Sequence, residues 1–164
     1  VRVMQSNLHI AIWESLGAIP SAIAFGELYT ALSQGTVDAQ DNPLELVISQ
    51  KFYEVQKYIT LTNHIFQVGM ATCNPAWFNS LSAEDQQVVM DAIRAGVEFQ
   101  RKEAAAQKEN YITTLEDAGL TVITLTDAEL AEFQALMGSA EDVIATNVGA
   151  DLVAELKDSI KAVS

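Results

Sequence analysis

Apolar and polar positions recur along the chain in two periods, and the switches between them mark the elements. Val1-Arg2-Val3-Met4 has the short apolar run of a strand, broken by the polar Gln5-Ser6-Asn7. Leu8, Ile12 and Leu16 then recur at i+4, which lines them up on one helix face, and Gly17 stands where a helix ends in the left-handed conformation. Ala22 to Phe25 reads as a second strand. Gly26 to Gln34 follows as a second helix with Leu28, Ala31 and Leu32 facing inward, closed by a turn at Gly35. Short strands alternating with helices predict an α/β fold with largely parallel pairing and right-handed crossovers.

Asn42 before Pro43 has the chemistry of a helix start, a side-chain oxygen at the N-cap and a proline at the first helical position, and predicts a helix to about Gln50. Phe52 to Ile59 reads as another short helix. His64 opens a strand candidate, and the long apolar run Ile65 to Cys73 reads as a central strand before a turn at Asn74-Pro75. Ser82 with Asp85 resembles a capping box, and the helical pattern it starts continues to Ala118, with Gly119 as the stop. That is a helix of roughly 36 residues and about 54 Å. Its middle, Arg101 to Gln107, is polar and alanine-rich, the pattern of a helix that bridges two lobes.

Leu120 to Leu125 reads as a strand. Thr126 with Glu129 is a second capping box, starting a helix that ends near Gly138. Ser139 and Gly149 punctuate two further helices, the last with Leu152, Val153, Leu156 and Ile160 on one face. The organisation expected is an α/β lobe over residues 1–80, a bridging helix over 81–119, and a C-terminal strand and helices over 120–164 that pack on the lobes.

Composition narrows the classes. With 164 residues, 49% hydrophobic and 19% charged, the chain can bury a core, and no run of about 18 apolar residues offers a membrane span. Its net charge of −13 and nine scattered Lys and Arg argue against nucleic acid and against an anionic membrane surface. Val1 stands in mid-strand with neither an initiator Met nor a signal peptide, so a piece of something longer is expected.

Enzyme chemistry finds little support. The chain has no P-loop, GxGxxG, HExxH or GxSxG, and His9 and His64 do not stand in a metal-ligand pattern, so neither metal nor cofactor is expected. Cys73 reads as a buried small hydrophobe. Asp38 and Asp41 flank a polar loop, where a turn and a helix dipole account for both without acid/base chemistry.

Three blocks carry a resemblance: VRVMQS, then GAIPSAIAFGELYTALSQGTVDAQDNPL, then QKFYEVQKYITLTNH. In order, spacing and identity they resemble the solute-binding proteins of TRAP transporters, the DctP-type family. The resemblance implies a periplasmic two-lobed α/β receptor, made with a signal peptide, that closes on a small organic acid and delivers it to membrane permease subunits. It implies a long helix across both lobes, in agreement with the bridging helix read from the pattern. The acid is left open: sugar acids such as uronates, C4-dicarboxylates and sialic acid are all ligands of the family.

By the same resemblance Arg2 holds the ligand carboxylate in a two-pronged salt bridge, a task suited to the planar, permanently charged guanidinium fork. Asn42 corresponds to an asparagine that reaches the ligand, and Phe25 to an aromatic packed near it. Met4, Gln5 and Ser6 are expected to line the same wall, and His64, in the TNH segment, to touch the site through water. Ala39 and Asp41 stand where the family often has Gly and Glu. The first lobe, with a second ligand-contacting arginine of many members, is expected upstream of Val1. Without it the chain is expected to bind acids weakly if at all, and its apolar surface is of the kind that a second copy covers in a homodimer. The competing class is a non-transporting interaction or scaffold domain of the same fold.

Overall fold

A computed structural model of the chain describes residues 1–66 and 68–162. The first strand, β1 (Arg2–Val3), leads into α1 (Asn7–Ser15) and back to β2 (Ser21–Ala22). The two strands pair in parallel, Arg2 opposite Ser21 and Val3 opposite Ala22, and Arg2 makes a further parallel bridge to Gln40. Gly17, just past the end of α1, takes the positive φ of 77° that its position in the sequence implies.

The strand expected over Ala22 to Phe25 is shorter. β1 turns away after Val3, where the Ser6 amide folds back onto the Met4 carbonyl, so nothing extends the ladder and Phe25–Glu27 coil into a 3-10 turn. That turn enters α2 (Leu28–Ser33), whose Leu28, Ala31 and Leu32 are buried as the pattern requires.

The next helix, α3 (Leu44–Ser49), starts one residue later than expected. Pro43 is its N-cap, in extended backbone, and no side chain caps it: the Asn42 amide is turned instead to Gln40 Oε1. The expected helix over Phe52 to Ile59 is also replaced. Lys51, at φ 56°, reverses the chain into a 3-10 turn over Phe52–Glu54, and β3 (Tyr58–Leu61) follows. Phe52 is fully buried, and the strand beyond it is recruited by pairing with a segment sixty residues downstream, which local periodicity does not reveal.

The central strand expected over Ile65 to Cys73 is not formed. Gln67 lies outside the described residues, and the flanking positions have no strand beside them, with Phe66, Val68 and Met70 exposed. Cys73 is exposed as well, not buried as expected, because the segment that would have covered it is not laid into a sheet. An Asn-Pro helix start does occur, but at Asn74-Pro75: Asn74 Oδ1 accepts from the Ala76 amide and opens α4 (Pro75–Ser80).

Ser82 caps α5 (Ala83–Asp117), a helix of 35 residues, by accepting from the Asp85 amide at 3.1 Å. Gly119, at φ 92°, ends it and hands over to β4 (Thr121–Thr124), which pairs in parallel with β3 in the register Tyr58 opposite Thr121 to Leu61 opposite Thr124. The two parallel pairs are separate sheets, and the core between them is built from Leu28, Leu32, Val37, Val47, Phe52, Leu115 and Leu120. Burying such side chains contributes about 1.5–3 kcal/mol each. Leu115 is the only fully buried residue of α5, so the long helix is fastened by its C-terminal end.

The expected capping box at Thr126 and Glu129 forms completely and starts α6 (Asp127–Leu136). α7 (Gly138–Val148) packs on α1, and α8 (Ala150–Lys161) returns along α7 with Lys157 ion-paired to Glu141. Leu152 and Leu156 of the apolar face of α8 are exposed. Among the described residues no helix is long and apolar enough to cross a membrane.

Candidate functional site

The C-terminal ends of β1 and β3 open into one cleft of about 780 Å³. Its floor carries Arg2 from β1 and Met4 just after it, Asp41 and Asn42 from the loop before α3, and Thr62, Asn63 and His64 after β3. Its far wall is a stripe of α5, Gln100, Glu103, Gln107 and Tyr111, spaced by three and four residues so that they share one helix face, with Lys108 beside Gln107. The cleft therefore takes shape where strand ends meet the long helix.

Arg2 is only 3% exposed, unusual for an arginine and sustained by its partners. Nε and Nη2 donate to the Ile23 carbonyl at 3.0 and 2.8 Å, and the guanidinium lies 5.9 Å from the centroid of the Phe25 ring. Burial lowers the guanidinium pKa and the nearby Asp41 carboxylate acts to raise it. The Ile23 carbonyl takes the side edge of the fork. Nη1 and the second hydrogen of Nη2, its end-on edge, remain for another acceptor.

Asp41 gathers the second cluster. Trp13 Nε1 donates to its Oδ2 at 2.9 Å, His9 Nδ1 stands 3.3 Å from the same oxygen, and His64 Nε2 stands 3.4 Å away. The His64 contact is an ion pair when the ring is protonated, since that nitrogen is not aligned for a hydrogen bond in the structure. Burial pushes the Asp41 pKa up, but the contacts from His64 and Trp13 and the charges of His9 and His64 outweigh it and hold the carboxyl below its ordinary range. His64 is fixed from other sides too: Thr62 Oγ1 lies 2.7 Å from its Nδ1, and Trp13 and Phe133 meet its ring edge to face. Asn63 between them holds a left-handed φ of 47°, which turns both neighbours toward the cleft side.

Of the residues singled out in the sequence, Arg2, Met4, Asn42 and His64 come together on the cleft. Phe25, Gln5 and Ser6 do not line it: Phe25 lies against the Arg2 guanidinium and against Phe52, and Ser6 stands at the N-terminus of α1. Sequence reading missed His9, Trp13, the α5 stripe and the part played by Asp41. A signal was present, because His9 and Trp13 stand four apart on α1 and so share a face, whereas their joint partner Asp41 is brought in only by the fold.

Comparison with known proteins places this architecture. A TRAP periplasmic solute-binding protein from Polaromonas, solved with D-erythronate, superposes with a TM-score of 0.84 at 32% identity, over 94% of this chain and 50% of that one. The ectoine-binding protein of Halomonas elongata superposes with a TM-score of 0.86 at 28% identity, over 98% and 54%. The 2,3-diketo-L-gulonate-binding periplasmic protein of Escherichia coli is 36% identical over 155 residues, 93% of this chain and 47% of that protein. The fold is thus that of the TRAP periplasmic solute-binding proteins. The model of the DctP family, described as bacterial extracellular solute-binding protein, family 7, matches residues 1–146, and the chain belongs to that family. It spans about half the length of the curated relatives it matches.

Proposed function

We propose that the chain is the Arg2-bearing part of a periplasmic receptor that captures a small organic acid and delivers it to TRAP permease subunits. The observation that carries this reading is the Arg2 guanidinium, buried on the cleft floor with its side edge committed to Ile23 and its end-on edge uncommitted. A carboxylate accepts from that edge through both oxygens, a geometry lysine cannot supply. Asn42 contributes a polar contact beside it, and His64, wedged by Thr62 and Trp13, a further one through water. Binding of D-erythronate, succinate or 2,3-diketo-L-gulonate by relatives agrees with a carboxylate as the shared handle.

One charge-assisted hydrogen-bond pair contributes roughly 1.5–3 kcal/mol, so an open cleft of this kind binds acids weakly on its own. The test is ligand-observed NMR with a panel of organic acids at millimolar concentration. Binding that disappears in Arg2→Ala, with the melting transition preserved, supports the reading. Binding that persists in that variant, or none to any acid, overturns it.

A further inference from the structure

Arg2 is a buried cation with an uncommitted edge, and a carboxylate stands close by on the neighbouring segment. The Arg2 amide donates to the Ala39 carbonyl at 2.7 Å and Arg2 bridges Gln40 in parallel, so Asp41 is the next residue beyond that bridge. Both side chains line the cleft, and the Asp41 charge acts on the guanidinium. Two such groups would ordinarily pair, because a buried charge without a counterion is costly and a carboxylate fits the guanidinium fork. Among the described residues they are not ion-paired, and Asp41 faces His9 and His64 instead. Resting on the carboxylate reading of Arg2, we propose that Trp13 is a positioning residue for acid capture, whose indole N–H holds Asp41 off Arg2 and so keeps the guanidinium edge open for the ligand.

Of the three groups on Asp41 Oδ2, the indole is the one that donates whatever the pH. Trp13 Nε1 is a donor only and lies 2.9 Å away, whereas the role of His9 Nδ1 at 3.3 Å depends on its tautomer and His64 Nε2 at 3.4 Å contributes when the ring is protonated. The indole is also firmly backed. α1 buries Ile12 and packs on α7, and the Trp13 ring meets His64 edge to face with 5.6 Å between centroids. The loop that carries Asp41 has less to hold it: the Asn42 amide is spent on Gln40, and no side chain caps α3 behind it. An Asp41 released from the indole is a carboxylate tethered beside Arg2, an internal competitor for the edge a ligand acid takes.

A double-mutant cycle on the full chain tests the proposal, with D-erythronate and succinate as the probes in ligand-observed NMR. Trp13→Phe keeps a ring against His64 and removes the N–H. It is expected to weaken both acids about tenfold, the factor of one hydrogen bond to a charged group. In an Asp41→Asn background the same substitution is expected to change affinity by about twofold at most, since no charge is then left to pair with Arg2. A general packing defect would weaken binding alike in both backgrounds. His9→Phe, which removes the other α1 contact on Oδ2, and Asp41→Ser carry the same cycle where either of those variants does not fold. Equal losses in the two backgrounds, or no loss in either, overturn the positioning role and leave carboxylate capture standing. Binding of neither acid to the unsubstituted chain overturns the proposed function itself.

Discussion

Trp13 Nε1 donates to Asp41 Oδ2 at 2.9 Å across 28 residues of sequence, and this one bond locks α1 to the loop that precedes α3. It also places an ionised carboxylate beside the Arg2 cleft, with His9 and His64 on the same oxygen. The tie between helix and loop makes the acid group part of the scaffold as well as of the cleft wall.

Asp41 should therefore show its contribution in the pH dependence of stability. Its folded-state pKa lies below the ordinary 3.8. A depressed value contributes stability that is fully present above the unfolded pKa and is lost as pH falls through the folded one. Urea melts of wild type and Asp41→Asn are expected to differ above pH 3.8, with the gap closing as pH drops below that value. A gap that stays constant through that range contradicts the assignment.

Arg2 should tolerate not even its closest replacement. Arg2→Lys keeps a charge but loses the fork that grips Ile23 and offers a second edge, so acid binding is expected to fall at least tenfold and the melting temperature to drop. Retained binding in Arg2→Lys would show that charge alone suffices.

Leu115 fastens the long helix to the core. Leu115→Ala is expected to cost about 2–5 kcal/mol in a denaturant melt, against roughly 0.5 kcal/mol or less for Leu156→Ala on the exposed face of α8. Equal losses at the two sites would mean that α8 is covered in solution.

Thr126 holds a complete capping box with Glu129. Removing it with Thr126→Ala should destabilise the fold by about 1 kcal/mol, read as a lower denaturation midpoint with an unchanged slope.

The parts of this fold that were legible in the sequence are those fixed by neighbours in the chain. The stop at Gly17, the inward face of Leu28, Ala31 and Leu32, the span of α5 and the box at Thr126 each depend on residues within a turn or two. What stayed hidden depends on distant partners. β3 exists because β4 lies beside it, and the run Ile65 to Cys73, longer than either, has no neighbour among the described residues and forms no strand. The same divide runs through the site: Arg2 and Asn42 were visible through a family resemblance carried by contiguous blocks, whereas the meeting of His9, Trp13 and His64 on Asp41 is an outcome of packing.

The attachment of α5 has a mechanical side. A rod of 35 residues is about 52 Å long, and it is gripped at Leu115, close to one tip. A swing of about 5° at that grip carries the far tip through roughly 4–5 Å, while Tyr111 and Lys108, one or two turns from the pivot, travel only a fraction of that distance. All three stand on the same side of the grip, so the displacement in such a swing would grow steadily along the helix from Leu115 to Ala83. Any such swing would be small beside the cleft and largest near Ser82, some 50 Å from the grip at Leu115.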